Sequence, residues 1–392
     1  MSLDLPELLP QVQQLSQSVQ TQQSRRAEQL QAALAAYRSL LELPPDELHH
    51  RLTQAGSRWT GARPSHDALD ESFPPPPSTP GLYVIGADGS QIYPDRHAAA
   101  FFFLVNLAGI CLQHGSESAP RTQTSTRLYF EPEQLRYESD LPVESAWVNL
   151  QRDLGEMSML ADLAEGALEG HGLALLDNSL LLWMLLQARG AGERELDRIL
   201  KAYLDAMRRL QASGAALAGI VDRPRSSNVL ALAGLASPSD EGMETEETQR
   251  PPFPGLTDLD LYLQLLPEGS RSPCFELVSP LNRDFSTAGQ AVHFFYLHIA
   301  NEQLLRVEVP DWVASDRALL DRVHAGLLRE GQSTGGYPYV LVRAHELAVV
   351  TQAERSLVEE WIGRELSARG IPPARSRKSQ AKTLTSGVGR RR

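Results

Sequence analysis

The chain has 392 residues, 42% of them hydrophobic, enough for one large domain or two ordinary ones around a real core. Its formal net charge of −12 does not suggest a nucleic-acid binder, although binding depends on a local basic patch rather than on bulk charge. No apolar run is long enough to span a membrane, and the opening Met1-Ser-Leu-Asp-Leu-Pro has no signal-peptide pattern. Cys111 and Cys274 are isolated, which argues for a reducing cytoplasm and against a zinc site or disulfide framework.

In residues 10–41, apolar side chains three and four apart (Val12, Leu15, Val19, then Leu30, Ala33, Tyr37, Leu41) predict a long helix. Gln22 to Arg26 reads as a polar break in it, and Pro44 and Pro45 end it. Residues 1–64 therefore read as an N-terminal helical segment, and 65–80, with Pro74-Pro-Pro-Pro77, as an extended linker into a core domain over 81–370. The core opens with Leu82-Tyr-Val-Ile-Gly-Ala-Asp88-Gly-Ser-Gln, a buried strand expected to end on Asp88 before a tight Gly-Ser turn. Two more strands are expected over 98–112 and 122–130. The apolar period then changes to four and three (Val143, Trp147, Leu150, Leu154, Met157, Ala161, Ala164, Leu168), a long amphipathic helix stopped at Gly170-His-Gly172.

Leu173-Ala-Leu-Leu-Asp177-Asn-Ser repeats the grammar of apolar strand, Asp and polar turn. A helix over 193–210 and a strand over 215–221 ending in Asp222-Arg-Pro-Arg-Ser follow. Strands separated by such helices are parallel, and the three opening strands suit an antiparallel meander. That mixed sheet is the layout of the ribonuclease-H-like fold, an α/β class. Residues 237–256 read as a flexible acidic loop. Strands are expected over 274–278, 292–299 and 304–309, then one helix from Pro310 to about Arg329 and a last helix from the capping box Thr351-Gln-Ala-Glu354. From Ile371 onward there is no acid and seven basic residues, so 371–392 reads as a disordered basic tail suited to phosphate backbones.

Parallel neighbouring strands would set Asp88 and Asp177 side by side at their C-terminal ends. Two carboxylates that close need a cation between them, and hard oxygens suit Mg²⁺ or Mn²⁺. Such a pair is the core of two-metal phosphodiester hydrolysis. A third carboxylate should come from the long helix. Glu156 and Glu165 are nine residues apart and, at about 100° per residue, point to opposite sides. Glu156, nearer the helix start, is the better placed, and the bland reading of either is a solvated glutamate. His345 beside an apolar run reads as a structural histidine or as a ligand that would favour Mn²⁺. Tyr337 is a packing residue or one that orients a phosphate or water. Arg223 and Arg225 belong to a solvated loop or hold a phosphate bidentately. There is no P-loop, so the chain is not itself an ATP motor, and no Gly-x-Ser-x-Gly elbow.

At these residues the chain resembles the NurA family of DNA-repair nucleases. Gly86-Ala-Asp88-Gly-Ser, Leu175-Leu-Asp177-Asn-Ser-Leu, Gly219-Ile-Val-Asp-Arg-Pro-Arg-Ser226 and Gly336-Tyr337-Pro-Tyr…Ala344-His345-Glu come in the family's order across residues 81–350. The resemblance implies a ribonuclease-H-like core, Mn²⁺-dependent DNA cleavage (5′→3′ exonuclease and single-strand endonuclease), and a ring-shaped homodimer. It also implies partnership with a HerA-type hexameric ATPase in end resection at double-strand breaks. It makes Asp88, Asp177 and His345 metal ligands, with Tyr337 close by and Glu156 the helix carboxylate. Two departures stand out. Asn178 replaces the glycine of the usual Asp-Gly-Ser and is expected to keep a left-handed turn. Asp222 stands where a neutral or basic residue is more usual, which bears on the DNA-holding role of the loop carrying Arg223 and Arg225.

The competing reading, from another class, is a catalytically silent scaffold that dimerises through the N-terminal helix and recruits an ATPase to DNA ends. A junction resolvase on the same fold would need a compact chain with basic faces, whereas this one is long and acidic.

Overall fold

The computed structural model describes residues 5–56, 59–166, 171–188, 190–236, 252–301 and 303–371. In chain order the elements are α1 (Leu5–Glu42), α2 (Pro45–Ala55), β1 (Gly61–Pro64), β2 (Tyr83–Ile92), β3 (Phe103–Gln113), β4 (Arg121–Tyr129), α3 (Pro132–Leu135), α4 (Ser145–Glu165), β5 (Gly172–Leu176), α5 (Glu193–Ser213) and β6 (Ala216–Asp222). They continue as α6 (Asn228–Gly234), α7 (Asp258–Leu265), β7 (Phe275–Val278), α8 (Pro280–Thr287), β8 (Val292–Ala300), β9 (Gln303–Pro310), α9 (Asp311–Ala314), α10 (Arg317–Gly331), α11 (Tyr339–Ala348) and α12 (Gln352–Ala368). None of the described helices is long and apolar enough to cross a membrane. Cys111 and Cys274 are both buried and free.

The chain forms two compact units, each from two stretches: Met1–Pro77 with Ile220–Leu328, and Ser78–Gly219 with Arg329–Arg392. In the first, β1, β7, β8 and β9 pair antiparallel in that order. The second half of α1 buries Ala33, Leu34, Ala36, Tyr37 and Leu40, and the helix packs on α6 and α7. A buried polar network holds α6 in place. The Asp258 carboxylate accepts the N–H groups of Val229 (3.1 Å) and Leu230 (2.9 Å) and the Tyr296 hydroxyl (2.8 Å). These bonds satisfy donors that a helix start otherwise leaves orphaned.

The second unit carries a mixed sheet. β2 pairs antiparallel with β3 and β3 with β4, while β5 runs parallel to β2 and β6 parallel to β5. The order β6-β5-β2-β3-β4 is the ribonuclease-H-like layout expected from the periodicity. α4 and α11 both pack on β2 and β3. They cover opposite faces. An added Cβ at Gly86 would meet the Val340 backbone of α11, and one at Gly89 would meet Arg152 and Glu156 of α4, and odd and even strand residues point opposite ways. α12 closes a cluster of Ile92, Phe102 and Leu104 with Val358 and Ile362.

Five local expectations need correction. α1 has no break at Gln22–Arg26, because that stretch contains good helix formers and neither Gly nor Pro, and Arg26 pairs with Asp260 at 2.5 Å. β2 does not stop at Asp88 but continues to Ile92, opposite the apolar start of β3. The segment expected as a linker is docked over its first half. Phe73 is buried and pairs its backbone with Arg271, whose guanidinium lies 3.7 Å over the Phe73 ring and bonds Asp67. The helix expected from Pro310 is two helices, broken at Ser315-Asp316, where Asp316 accepts the Ala318 N–H (2.8 Å) and restarts the turn as α10. Asn178 is not left-handed: among the described residues only Asp140, Arg223 and Asn301 combine a side chain with positive φ. Its amide oxygen accepts the Ser179 N–H at 2.8 Å instead. Residues 167–170, most of the acidic segment (237–251) and the basic tail from 372 lie outside the described residues.

Candidate metal centre

Every carboxylate candidate lies in the second unit. Register pairs Ala87 of β2 with Leu176 of β5, so Asp88 and Asp177 follow directly on neighbouring parallel strands. Asp88 Oδ1 accepts the Gly89 N–H at 2.7 Å. Its Oδ2 lies 2.7 Å from His345 Nδ1, on an imidazole that is 63% exposed. The Tyr337 hydroxyl donates to Asp177 Oδ1. The sheet thus supplies the two carboxylates, and α11 with the turn before it supplies the histidine and tyrosine.

The strand sequence explains how α11 comes so near. Gly86 lets the helix backbone approach: an added Cβ would lie 3.0 Å from the Val340 carbonyl oxygen. Two residues on, same face, stands Asp88. Two further, the Ser90 hydroxyl donates to the Ala348 carbonyl at 2.6 Å and accepts the Val350 N–H at 3.0 Å. Asn106 of β3 donates to the same carbonyl at 2.7 Å. At the other end of α11, the Glu330 carboxylate accepts the Val340 N–H at 2.7 Å. His345 is therefore held from both ends of its helix.

α4 brings the third carboxylate from the opposite face of β2. Glu156 is 4% exposed. Burial pushes its carboxyl well above the usual carboxylate range. Arg152 opposes that shift, and Asp153, Asp88 and Asp177 add to it. Glu165 is exposed and pairs with Arg209 at 2.6 Å, so of the two helix glutamates only Glu156 feels the aspartates. Gly89 leaves the space that this side chain and Arg152 fill.

Among the described residues, no three His, Cys, Asp or Glu side chains converge tightly enough to form a ready metal cage. What is present is a donor set of three carboxylates and an imidazole, partly tied up in the Asp88–His345 and Arg152–Glu156 pairs. Neighbouring hard oxygens, one of them buried where ionisation is disfavoured, suit a divalent ion of the Mg²⁺ or Mn²⁺ type. The donor chemistry fits such an ion.

Arg223 and Arg225 belong to the first unit, on the turn after β6. Both are exposed, and Arg223 takes a left-handed φ of 47°. Ser226, at the end of the same Arg-Pro-Arg-Ser motif, is fastened to the buried network through the Tyr296 hydroxyl (3.0 Å) and Arg306 (3.2 Å).

A NurA-domain family model matches residues 83–350, a span that contains every member of this cluster. The chain belongs to the NurA family. Among solved structures, the NurA nuclease from Sulfolobus solfataricus is similar at 14% identity and a TM-score of 0.48, the alignment covering 82% of this chain and 93% of that one. A NurA solved with manganese is 11% identical over 77% and 93% of the two chains, at 0.41. The catalytic domain of human Endonuclease V is 12% identical over 84% and 100%, at 0.34. No curated protein matches the sequence.

Sequence reasoning missed part of this cluster in the NurA chain. Arg152 was invisible because a cation on an amphipathic helix reads as a solvated face. Its i, i+4 spacing to Glu156 was the available signal. Ser90 was assigned to a turn that does not form. Asn106 and Glu330 carry no motif, since each reaches α11 through a backbone contact set by the tertiary fold.

Proposed function

We propose that the protein is a divalent-metal-dependent deoxyribonuclease, using Mn²⁺ or Mg²⁺, that resects double-strand breaks with a HerA-type hexameric ATPase. One observation carries the reading. In a chain of the NurA family, Asp88 and Asp177 end up beside each other on parallel strands, with buried Glu156 reached through the gap at Gly89. Asp88, Asp177 and His345 would hold the metal, with Glu156 as the helix carboxylate. The bound ion would supply charge neutralisation and an activated water at the scissile phosphate. The chain's own residues do the rest. Asp88 fixes His345, Tyr337 steers Asp177, and Ser90 keeps α11 against the sheet. Arg223 and Arg225, both exposed, would serve as phosphate contacts that carry no sequence information. The fuller reading includes 5′→3′ exonuclease and single-strand endonuclease activities, a homodimeric assembly and a cytoplasmic setting.

The test uses labelled single- and double-stranded DNA with Mn²⁺, Mg²⁺ or EDTA, for wild type and Asp88→Ala. Cleavage that needs the metal and is lost in the variant is expected. Cleavage in EDTA, or undiminished in Asp88→Ala, would overturn the reading, and inactivity with every metal would favour the silent scaffold.

A further inference from the structure

Arg152 occupies an unusual place for a helix cation. Its side chain is 23% exposed and runs along the gap at Gly89, where an added Cβ would lie 2.7 Å from Arg152 Cγ and 2.9 Å from Glu156 Oε1. Three groups hold the guanidinium, unequally. Nη2 donates to Asp153 Oδ1 at 2.8 Å, and Nη1 reaches Gln91 Oε1 at 3.4 Å. Gln91 is itself bonded to the Tyr93 hydroxyl (2.7 Å), which donates to Asn149 Oδ1 (2.7 Å). Nε lies 3.1 Å from Glu156 Oε1, yet that N–H is buried without a hydrogen-bond partner. The tip is thus anchored to Asp153 and the Gln91 shelf, while its hold on Glu156 is Coulombic and undirected.

We infer that Arg152 is an internal counter-ion that neutralises Glu156 until a divalent cation replaces it, and that the released guanidinium then faces the DNA phosphate. This rests on the reading of Glu156 as part of the metal-binding set. A cation beside a carboxylate lowers the affinity of that carboxylate for a second cation, because the two positive charges repel across a few ångströms of poorly screened protein. The anchor at Asp153 and Gln91 lets the guanidinium let go of Glu156 without leaving the site. A planar fork of N–H donors is well matched to phosphate oxygens. Arg152 is a positioning residue in the metal-free protein and a phosphate contact once the ion is bound.

The inference gives effects of opposite sign, which a purely structural arginine would not. Mn²⁺ affinity is measured without DNA by calorimetry and by the EPR signal of free Mn²⁺, for wild type, Arg152→Met and Arg152→Lys. Arg152→Met is expected to bind Mn²⁺ about tenfold tighter, to bind DNA more weakly in Ca²⁺, and to gain more thermal stability from Mn²⁺ than wild type does. Arg152→Lys keeps the charge and is expected to match wild type in Mn²⁺ affinity while losing DNA affinity. Wild type that binds Mn²⁺ with Arg152→Met binding no tighter would overturn this inference alone. Wild type that binds no Mn²⁺ would overturn the metal reading, and this inference with it. Should Arg152→Met melt below the assay temperature, Arg152→Gln carries the same comparison with an amide in the gap.

Discussion

The Ser90 hydroxyl bridges the end of α11, donating to the Ala348 carbonyl at 2.6 Å and accepting the Val350 N–H at 3.0 Å. A strand side chain thereby closes the helix that carries His345. Ser90→Ala removes both bonds, and although Asn106 still serves the Ala348 carbonyl, the Val350 N–H loses its partner. Stability should fall by about 1–2 kcal/mol, with metal-dependent cleavage falling further as His345 shifts against Asp88. Melting curves and Mn²⁺-dependent rates check this, and Ser90→Thr should restore both.

Asp88→Asn keeps the shape of the side chain and removes its charge. Cleavage should drop at least about 100-fold, equivalent to about 2.7 kcal/mol of transition-state stabilisation, with an unchanged circular-dichroism spectrum. His345→Ala should lose less, about 10–100-fold, because the two aspartates still offer the ion their carboxylates. Rates on labelled DNA across a Mn²⁺ titration separate the two effects.

Glu156→Gln should stabilise the metal-free protein while abolishing cleavage. Burial raises the folded-state pKa of Glu156 above its unfolded value. Its contribution is therefore complete below the unfolded value of 4.5 and is lost as pH rises from there toward the raised folded-state value. In EDTA at neutral pH burying this carboxyl costs stability, and replacing it should gain on the order of 1 kcal/mol, since Arg152 keeps Asp153 as partner. Thermal melts against pH in EDTA should show the wild-type and Glu156→Gln curves converging as pH falls. Added Mn²⁺ should reverse the order at pH 7.

The sequence showed the two strand-Asp units clearly, because continuous apolar runs bounded by Gly and Pro have few other readings. It also showed the mixed character of the sheet around them, since the change to period 3.6 marks each crossover between parallel strands. It misjudged where β2 ends. Gly89-Ser90 has turn composition, yet Asp88 pairs with Ala108 and Ile92 with Leu104, and the partner strand decides the matter. α11 carries little helix signal, because Tyr339-Val-Leu-Val suits a strand locally, and its packing on β2 and β3 with the Val340 N–H on Glu330 is set by the tertiary fold. The choice between Glu156 and Glu165 needed the sheet, which puts one beneath Gly89 and leaves the other to Arg209.

Acid should weaken the first unit through His324. Its ring is buried, with Nε2 2.7 Å from the Gly269 carbonyl, and burial lowers its pKa from 6.5 to about 4. The neutral ring is favoured in the fold, so its contribution is complete above pH 6.5 and is lost as pH falls toward 4. The loss is at most roughly 3 kcal/mol. Denaturation followed between pH 7 and pH 4 should be less steep for His324→Gln than for wild type.

Cys274 should be inert in the folded protein. Burial pushes its thiol up to about 12, so almost no thiolate exists at pH 8. Native protein treated with iodoacetamide should leave Cys274 unmodified by mass spectrometry, and denatured protein should label there.

Gly86 holds a different kind of lesson. Even one methyl at that position would press on the main chain of the helix lying over it, and a main chain cannot step aside as a side chain can. Strand and helix are therefore a matched pair, and a graft that transplants one without the other would carry His345 away from Asp88 while leaving both residues intact on paper.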